Sequence, residues 1–453
     1  MIGPSHESAE SQLRIKERCA LVHQLPLKNE RMTDLAKILL EAIDAGRDDW
    51  IGLLQQFVQT PTPNPPGDTR DGVAHLAAFL AARGLDHRLI SPLKHAPNIV
   101  AQFEAARPGR HLVLNGHIDV YPAGDGARWK HDPWSGAIED GRLYGRGVAD
   151  MKCGTTCSII TYALLHNHRD KLAGKLSLTC VSDEETGGRW GTGYLFARHP
   201  EYVRGDCCLN GEPSSKYNVR WGEKMPLWLV FTIKTRGAHG AYVHMSESAS
   251  LIALSLMERL EELTTLRPTL PPEIQRSFAS PEVRAALDRS MGEGAADIVD
   301  KVTLNIGVIE GGLKMNMIPS ECRVEIDIRI PFGLTKSQVF ERIHAILRDF
   351  PQVTVKEESI ETETEANWCD PDGEMLKIIQ RTAKAVRGIE PVPIATLGLT
   401  DARWWRNAGI PAYVYGCSPD GMASHNEAVA LNEFLDVLRV HALSAAAYLG
   451  GMP

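Results

Sequence analysis

Five short apolar runs, separated by segments of helical period, constrain this chain more than any other feature. They are Asn98–Phe103, His111–Asn115, Lys175–Val181, Cys207–Leu209 and Ala412–Tyr415. Near-continuous apolar runs belong to strands covered on both faces, and strand–helix alternation predicts an α/β fold: a mainly parallel sheet with helices on both faces. Helical spacing is clear from Met32 to Val58, with an interruption at Gly46, again at 71–83, and at Gly154–Asn167. The prolines of TPTPNPPGD stop the first of these, because they remove backbone donors and fix φ.

Between 222 and 360 the texture changes. LWLVFTIKTRG, VTLNIGVIEGG, SECRVEIDIRI and VTVKEESI read as strands, and Ser246–Leu263 and Ser337–Phe350 as helices. The order strand, helix, strand, strand, helix, strand is that of a ferredoxin-like α+β sandwich. We therefore expect residues 1–221 to form the first part of a larger domain, with 1–31 as an N-terminal extension. Residues 222–360 form a separate, smaller inserted domain, and 361–453 complete the larger one. Within the insert, 264–300 is a further insertion, Pro-rich and then rich in Ala and charge. A chain of 453 residues suits two cores better than one.

A net charge of −8 argues against nucleic acid or an anionic membrane as partner. No apolar run reaches the ~18 residues of a membrane-spanning helix. The start, MIGPSHESAE, lacks a signal peptide's basic and apolar segments, and the nine cysteines form no disulfide framework. A cytoplasmic protein with reduced thiols is the expectation. Cys153 and Cys157 have a spacing a metal could use, but no second pair answers them.

Titratable side chains cluster where the apolar runs end. NGHIDVYP carries His117 and Asp119; GRGVADMK carries Asp150 before a helix; SDEETGG carries Glu184 and Glu185; GEPSS carries Glu212; ASHNEAV carries His425. In open α/β sheets, ligands bind beyond the carboxyl ends of the strands, so these sites can converge on one cleft. His with carboxylates is a donor set for zinc, cobalt or manganese. Five ligands sharing one carboxylate serve two ions, and a free glutamate beside them serves as a general base. Asp119 would accept the second ring N–H of His117 and fix its tautomer. Each motif alone is common in solvated turns, and their joint order is what carries the inference.

These motifs resemble the dinuclear zinc amidohydrolases that include acetylornithine deacetylase, succinyl-diaminopimelate desuccinylase, aminoacylase and carboxypeptidase G. The resemblance runs from about residue 35 to the C-terminus. It implies two divalent ions per chain, zinc first, with cobalt or manganese as alternatives. His117, Asp150 and Glu212 would hold one ion and Asp150, Glu185 and His425 the other, with Glu184 as catalytic base. It also implies a cis Asp150–Met151 peptide, and that the inserted domain 222–360 is a lid and dimerisation domain through which the chain forms a homodimer. His239, in TRGAHGAYVH, would reach the partner's site and steady an oxyanion. Asn316 and Arg329 would hold the carbonyl or carboxylate of a small-molecule substrate. LGLTDAR would contribute Gly398 and Thr400.

The implied reaction is hydrolysis of the amide C–N bond of an N-acyl amino acid or small peptide-like substrate, by a metal-activated water. Glu rather than Asp at position 212 favours an amine product with a free carboxylate. The alternatives are an aminohydrolase of aromatic amines or another non-peptide C–N bond, a non-catalytic metal- or ligand-binding dimer, and a site with a single structural ion. Cys153 stands where many relatives have glycine, either near the reaction or as inert packing. Trp190, Trp221, Trp404 and Trp405 either line an aromatic pocket or fill the core.

Overall fold

The computed structural model describes residues 33–358 and 365–452. The expected N-terminal extension and the expected boundary at 361 lie outside the described residues. A nine-stranded sheet forms the larger body, in the order Arg88–Leu93, Ala96–Glu104, Ala173–Val181, Arg107–His117, Cys207–Asn210, Ala412–Val414, Asn218–Glu223 and Asn367–Trp368, with Val392–Thr396 also pairing on Asn218–Glu223. The four central strands, from Ala173–Val181 to Ala412–Val414, run parallel, and the outer Arg88–Leu93, Ala96–Glu104 and Asn367–Trp368 pair antiparallel.

The apolar runs are continuous because this sheet has a core on each face. Successive residues alternate between the two cores: Leu112 and Leu114 face one, and Val113 the other. Leu209 and Cys208 divide in the same way. On the first face, helix Leu431–Tyr448 packs against Cys153–Asn167, Glu374–Arg387 and Asp34–Ala45. On the second, Thr192–Arg198 and Ala402–Asn407 pack together over Val181, Cys208 and Val414. The N-terminal helical stretch is broken at Gly46 into Asp34–Ala45 and Arg47–Val58.

At Lys224 the chain leaves this sheet for a second, four-stranded one, ordered Thr303–Gly311, Glu321–Ile330, Met225–Lys234, Val353–Glu357. All its pairings are antiparallel, and helices Ala249–Leu260 and Lys336–Leu347 complete the ferredoxin-like order. The 264–300 segment folds into Pro272–Ala279, Pro281–Met291 and the short Ala295–Ile298. Its Phe278 stacks on Trp221 of the large sheet at 5.8 Å, and Trp221 lies 5.6 Å from Phe332 of the lid. Lys224, buried at the crossing, donates to the carbonyls of Ile298 and Lys301 at 3.0 and 2.6 Å, which ties the crossing to this segment.

Candidate metal centre

The carboxyl ends of three adjacent strands deliver the site. Asn115 and Asn210, on neighbouring strands, are joined by a 2.7 Å hydrogen bond, and Asn210 Oδ1 accepts the Glu212 N–H at 2.9 Å. This buried pair fixes where Glu212 leaves its strand. Gly154 opens the turn for it: a Cβ there would lie 1.8 Å from the Gly211 carbonyl oxygen, so only glycine lets helix and strand end meet.

His117 is buried at the end of its strand, with Nε2 3.2 Å from both Asp150 Oδ1 and Glu212 Oε1. Its Nδ1 donates to a carbonyl oxygen, that of Asp119, at 2.8 Å, which leaves Nε2 as the ring nitrogen open to a cation. This corrects the expectation for Asp119. The residue does orient His117, but through its backbone, and its carboxylate is 3.7 Å from Nδ1. That carboxylate is occupied elsewhere: it accepts from Asn64 Nδ2 at 2.9 Å and from the Glu184 and Glu185 N–H groups at 3.2 and 3.1 Å. Asp119 thus ties the histidine to the turn that carries both glutamates.

On that turn the two glutamates part. Glu185 joins His117 and Asp150 in one group of ligand atoms within 4.8 Å of one another, and Glu184 joins His117 and Glu212 in a second. Arg403, buried, donates to Glu184 Oε1 at 3.1 Å and to the Gly187 carbonyl at 2.8 Å. Asp150 sits in the Gly145–Asp150 loop, and the Asp150–Met151 peptide is cis, as the resemblance implied. The carboxylate of Glu427 holds this loop, accepting from Arg146 Nη1 at 2.8 Å and from the N–H groups of Gly147, Ala149 and Asp150 at 3.0, 2.9 and 3.1 Å.

The electrostatics call for cations. Burial and neighbouring carboxylates push Glu184 and Glu185 well above the usual carboxylate range, and Glu212 up to about 7. His117 is desolvated, yet Glu212 and Asp150 hold it well above its ordinary value. Glu185 Oε1 is buried without a hydrogen-bond partner. Several carboxylates around one imidazole, with an orphaned oxygen among them, fit the hard and borderline donor set of zinc, cobalt or manganese. The Tyr121 hydroxyl faces the same carboxylates: Glu185 first, with burial, Asp150, Glu184 and Glu212, pushes it well above its normal value.

Other expected residues stand apart from this cluster. His425 joins neither ligand group, and its ring is edge-on to Trp129 at 5.9 Å. His239 is exposed on the short strand Ala238–His239, in contact with Ala241 and Tyr242 of its own loop. Asn316 is exposed in the loop that pairs with it, its carbonyl accepting from Gly240. Arg329 pairs with Asp327 at 3.0 Å on the strand face away from the lid's core. Gly398 is exposed. Thr400 is buried, with both N–H and hydroxyl given to Glu223 at 3.2 and 2.5 Å, so in this structure it braces its loop.

Trp221 and Trp405 are core residues, which removes them from an aromatic rim, whereas Trp190 and Trp404 are half-buried beside the Glu184 turn. Cys153 is buried, and hydrogen bonding to Cys157 with burial holds its thiol well above the normal range, as for inert packing. The sequence motifs had contained Arg403 and Glu427 without giving either a role.

Residues 113–447 match peptidase family M20/M25/M40. The chain is 26% identical over 406 residues to a succinyl-diaminopimelate desuccinylase of Cereibacter sphaeroides, covering 88% of this chain and 96% of that protein. It is 25% identical over 405 residues to aminoacylase-1 of Dictyostelium discoideum, covering 84% and 92%. Its fold superposes on an M20 family metallo-carboxypeptidase from Sulfolobus solfataricus with a TM-score of 0.74 at 17% identity, covering 88% of this chain and 99% of that one. For a di-peptidase from Saccharomyces cerevisiae the values are 0.73 and 16%, covering 92% and 98%. Among the described residues no helix is long and apolar enough to cross a membrane. The chain therefore belongs to peptidase family M20/M25/M40, a family of hydrolases that act on carbon–nitrogen bonds.

Proposed function

We propose that this chain is a dinuclear metal-dependent amidohydrolase, cleaving the amide bond of an N-acyl amino acid or a small peptide-like substrate whose amine product carries a carboxylate. The observation that carries this is His117 Nε2 lying 3.2 Å from both Asp150 and Glu212, with Glu185 gathered beside the same Asp150. His117, Asp150 and Glu212 would hold one ion, and Asp150 and Glu185 the other, with His425 completing it; zinc is the first choice. When bound, such ions supply Lewis acidity that polarises the scissile carbonyl and lowers the pKa of the attacking water.

Glu184 takes that water's proton at the oxygen Arg403 leaves free and delivers it to the departing nitrogen. Asp119 keeps the Glu184–Glu185 turn in register with His117. Arg329 and Asn316 are the candidate holders of the substrate carboxylate or carbonyl, with Arg329 exchanging Asp327 for the substrate. Gly398 and Thr400 border the substrate on the other side. The test is turnover of a panel of N-acyl amino acids and aromatic amines by the metal-loaded chain. Release of an amino acid from at least one N-acyl substrate is expected, and turnover confined to aromatic amines contradicts the proposal.

The lid supports a homodimer. Strand Thr303–Gly311 is an edge of its sheet, with Ile309 exposed, and Ser250, at the start of helix Ala249–Leu260, lies beside Gly311. Leu251 and Leu254 on that helix are 66% and 51% exposed. An apolar face continuous with an open strand edge suits a second copy of the same surface. Such a copy would present its exposed His239 to the oxyanion. Sedimentation velocity at micromolar concentration is expected to give a dimer, and Leu254→Asp a monomer; a monomeric wild type contradicts this part.

A further inference from the structure

Arg403 reaches the Glu184 carboxylate within hydrogen-bond distance, its Nη1 3.1 Å from Oε1. It comes from helix Ala402–Asn407, more than two hundred residues along the chain, and is 1% exposed. Its planar guanidinium makes two contacts at once. Nη1 takes Glu184 Oε1, and Nη2 takes the carbonyl of Gly187, at the far end of the same turn. Side chain and turn are thereby locked as a unit, a fixing that a point-charge lysine could not reproduce.

The turn is shaped for this approach. Gly188 has φ +69°, and a Cβ there would lie 3.1 Å from Arg403 Nη2 and 3.0 Å from Asp401 Oδ1. Arg403 engages Oε1 of Glu184, and the same carboxylate offers an oxygen to the His117–Glu212 side.

We infer that Arg403 is a positioning residue for the general base: it fixes which Glu184 oxygen meets the attacking water and does not itself bind substrate. The inference rests on Glu184 being the base. An oxygen held in place keeps proton transfer within hydrogen-bond reach, and loss of such supporting contacts costs about 10–100-fold in activity.

The experiment is a double-mutant cycle on the metal-loaded full chain, using the N-acyl amino acid that wild type turns over fastest. Arg403→Ala is expected to lower kcat about 10–100-fold, with KM within about twofold and bound metal unchanged. Added to Glu184→Gln, the same change is expected to cost less than about threefold more, because the two residues act as a unit. Equal losses in both backgrounds overturn the inference, as does a raised KM at constant kcat, which makes Arg403 a substrate contact.

Should Arg403→Ala fail to fold, Gly188→Ala keeps the arginine but crowds it. A lowered kcat is then expected, and an unchanged one overturns the inference. Arg403→Lys is expected to recover only part of the rate. A fully active Glu184→Gln would instead sink the base assignment, which separates the two failures.

Discussion

Glu184→Gln is expected to lower kcat by about 10²–10⁴-fold with little change in KM. Glutamine keeps the size of the side chain and an oxygen that can still accept from Arg403 Nη1, now at 3.1 Å from Glu184 Oε1. The other end of the group becomes an NH2, which cannot take a proton. The substitution therefore removes basicity while leaving the turn, the hydrogen bond from Arg403 and the candidate ligands His117, Asp150, Glu185 and Glu212 in place. An effect of this size is the full contribution of a positioned base, and a Michaelis constant that moved with it would mean that substrate binding had been damaged instead. Steady-state kinetics on the same N-acyl substrate decide this, and a variant with wild-type kcat refutes the mechanism.

Glu427→Ala is expected to cost about 3–5 kcal/mol of stability. Its carboxylate and the Arg146 guanidinium are 1% and 3% exposed and pair at 2.8 Å. Truncation leaves that guanidinium buried and unpaired, and strands the N–H groups of Gly147, Ala149 and Asp150 without their acceptor. Glu427→Gln keeps one accepting oxygen but turns an NH2 toward donors, so it is expected to lie between Ala and wild type. Urea denaturation of metal-free protein measures this without the stabilisation that bound ions would add. Because Glu427 also fixes the backbone at Asp150, the Ala variant is expected to bind metal more weakly. A change below about 1 kcal/mol, the scale of one ordinary hydrogen bond, would contradict the account.

The contrast between Glu184 and Glu427 bears on what a sequence makes legible. The sheet could be read because its strands face two cores: Leu112, Val113 and Leu114 are all apolar, although they point to opposite sides. The candidate ligands could be read because hydrophilic side chains at the ends of such runs need a reason to be there. His117 lies with Asp150 and Glu185 in one group of candidate ligand atoms and with Glu184 and Glu212 in another.

Long-range pairing was not legible. Nothing local in LGLTDAR tells that Arg403 crosses to Glu184, or that Thr400 is spent on Glu223. Periodicity reports which face of an element is buried, but carries no information about which buried charge meets which. For the same reason Asp119 was assigned a carboxylate contact with His117 that the structure gives to its backbone carbonyl. Two donors and acceptors two residues apart can meet in either way, and the choice was made by Asn64 and the Glu184 turn occupying the carboxylate.

The most direct test of the dinuclear assignment is the number of divalent ions per chain, counted by elemental analysis on wild-type protein and on Glu184→Gln. Two ions in both, with activity only in the first, is the predicted result. One ion or none in an active wild type would contradict the shared site built around His117 and Asp150.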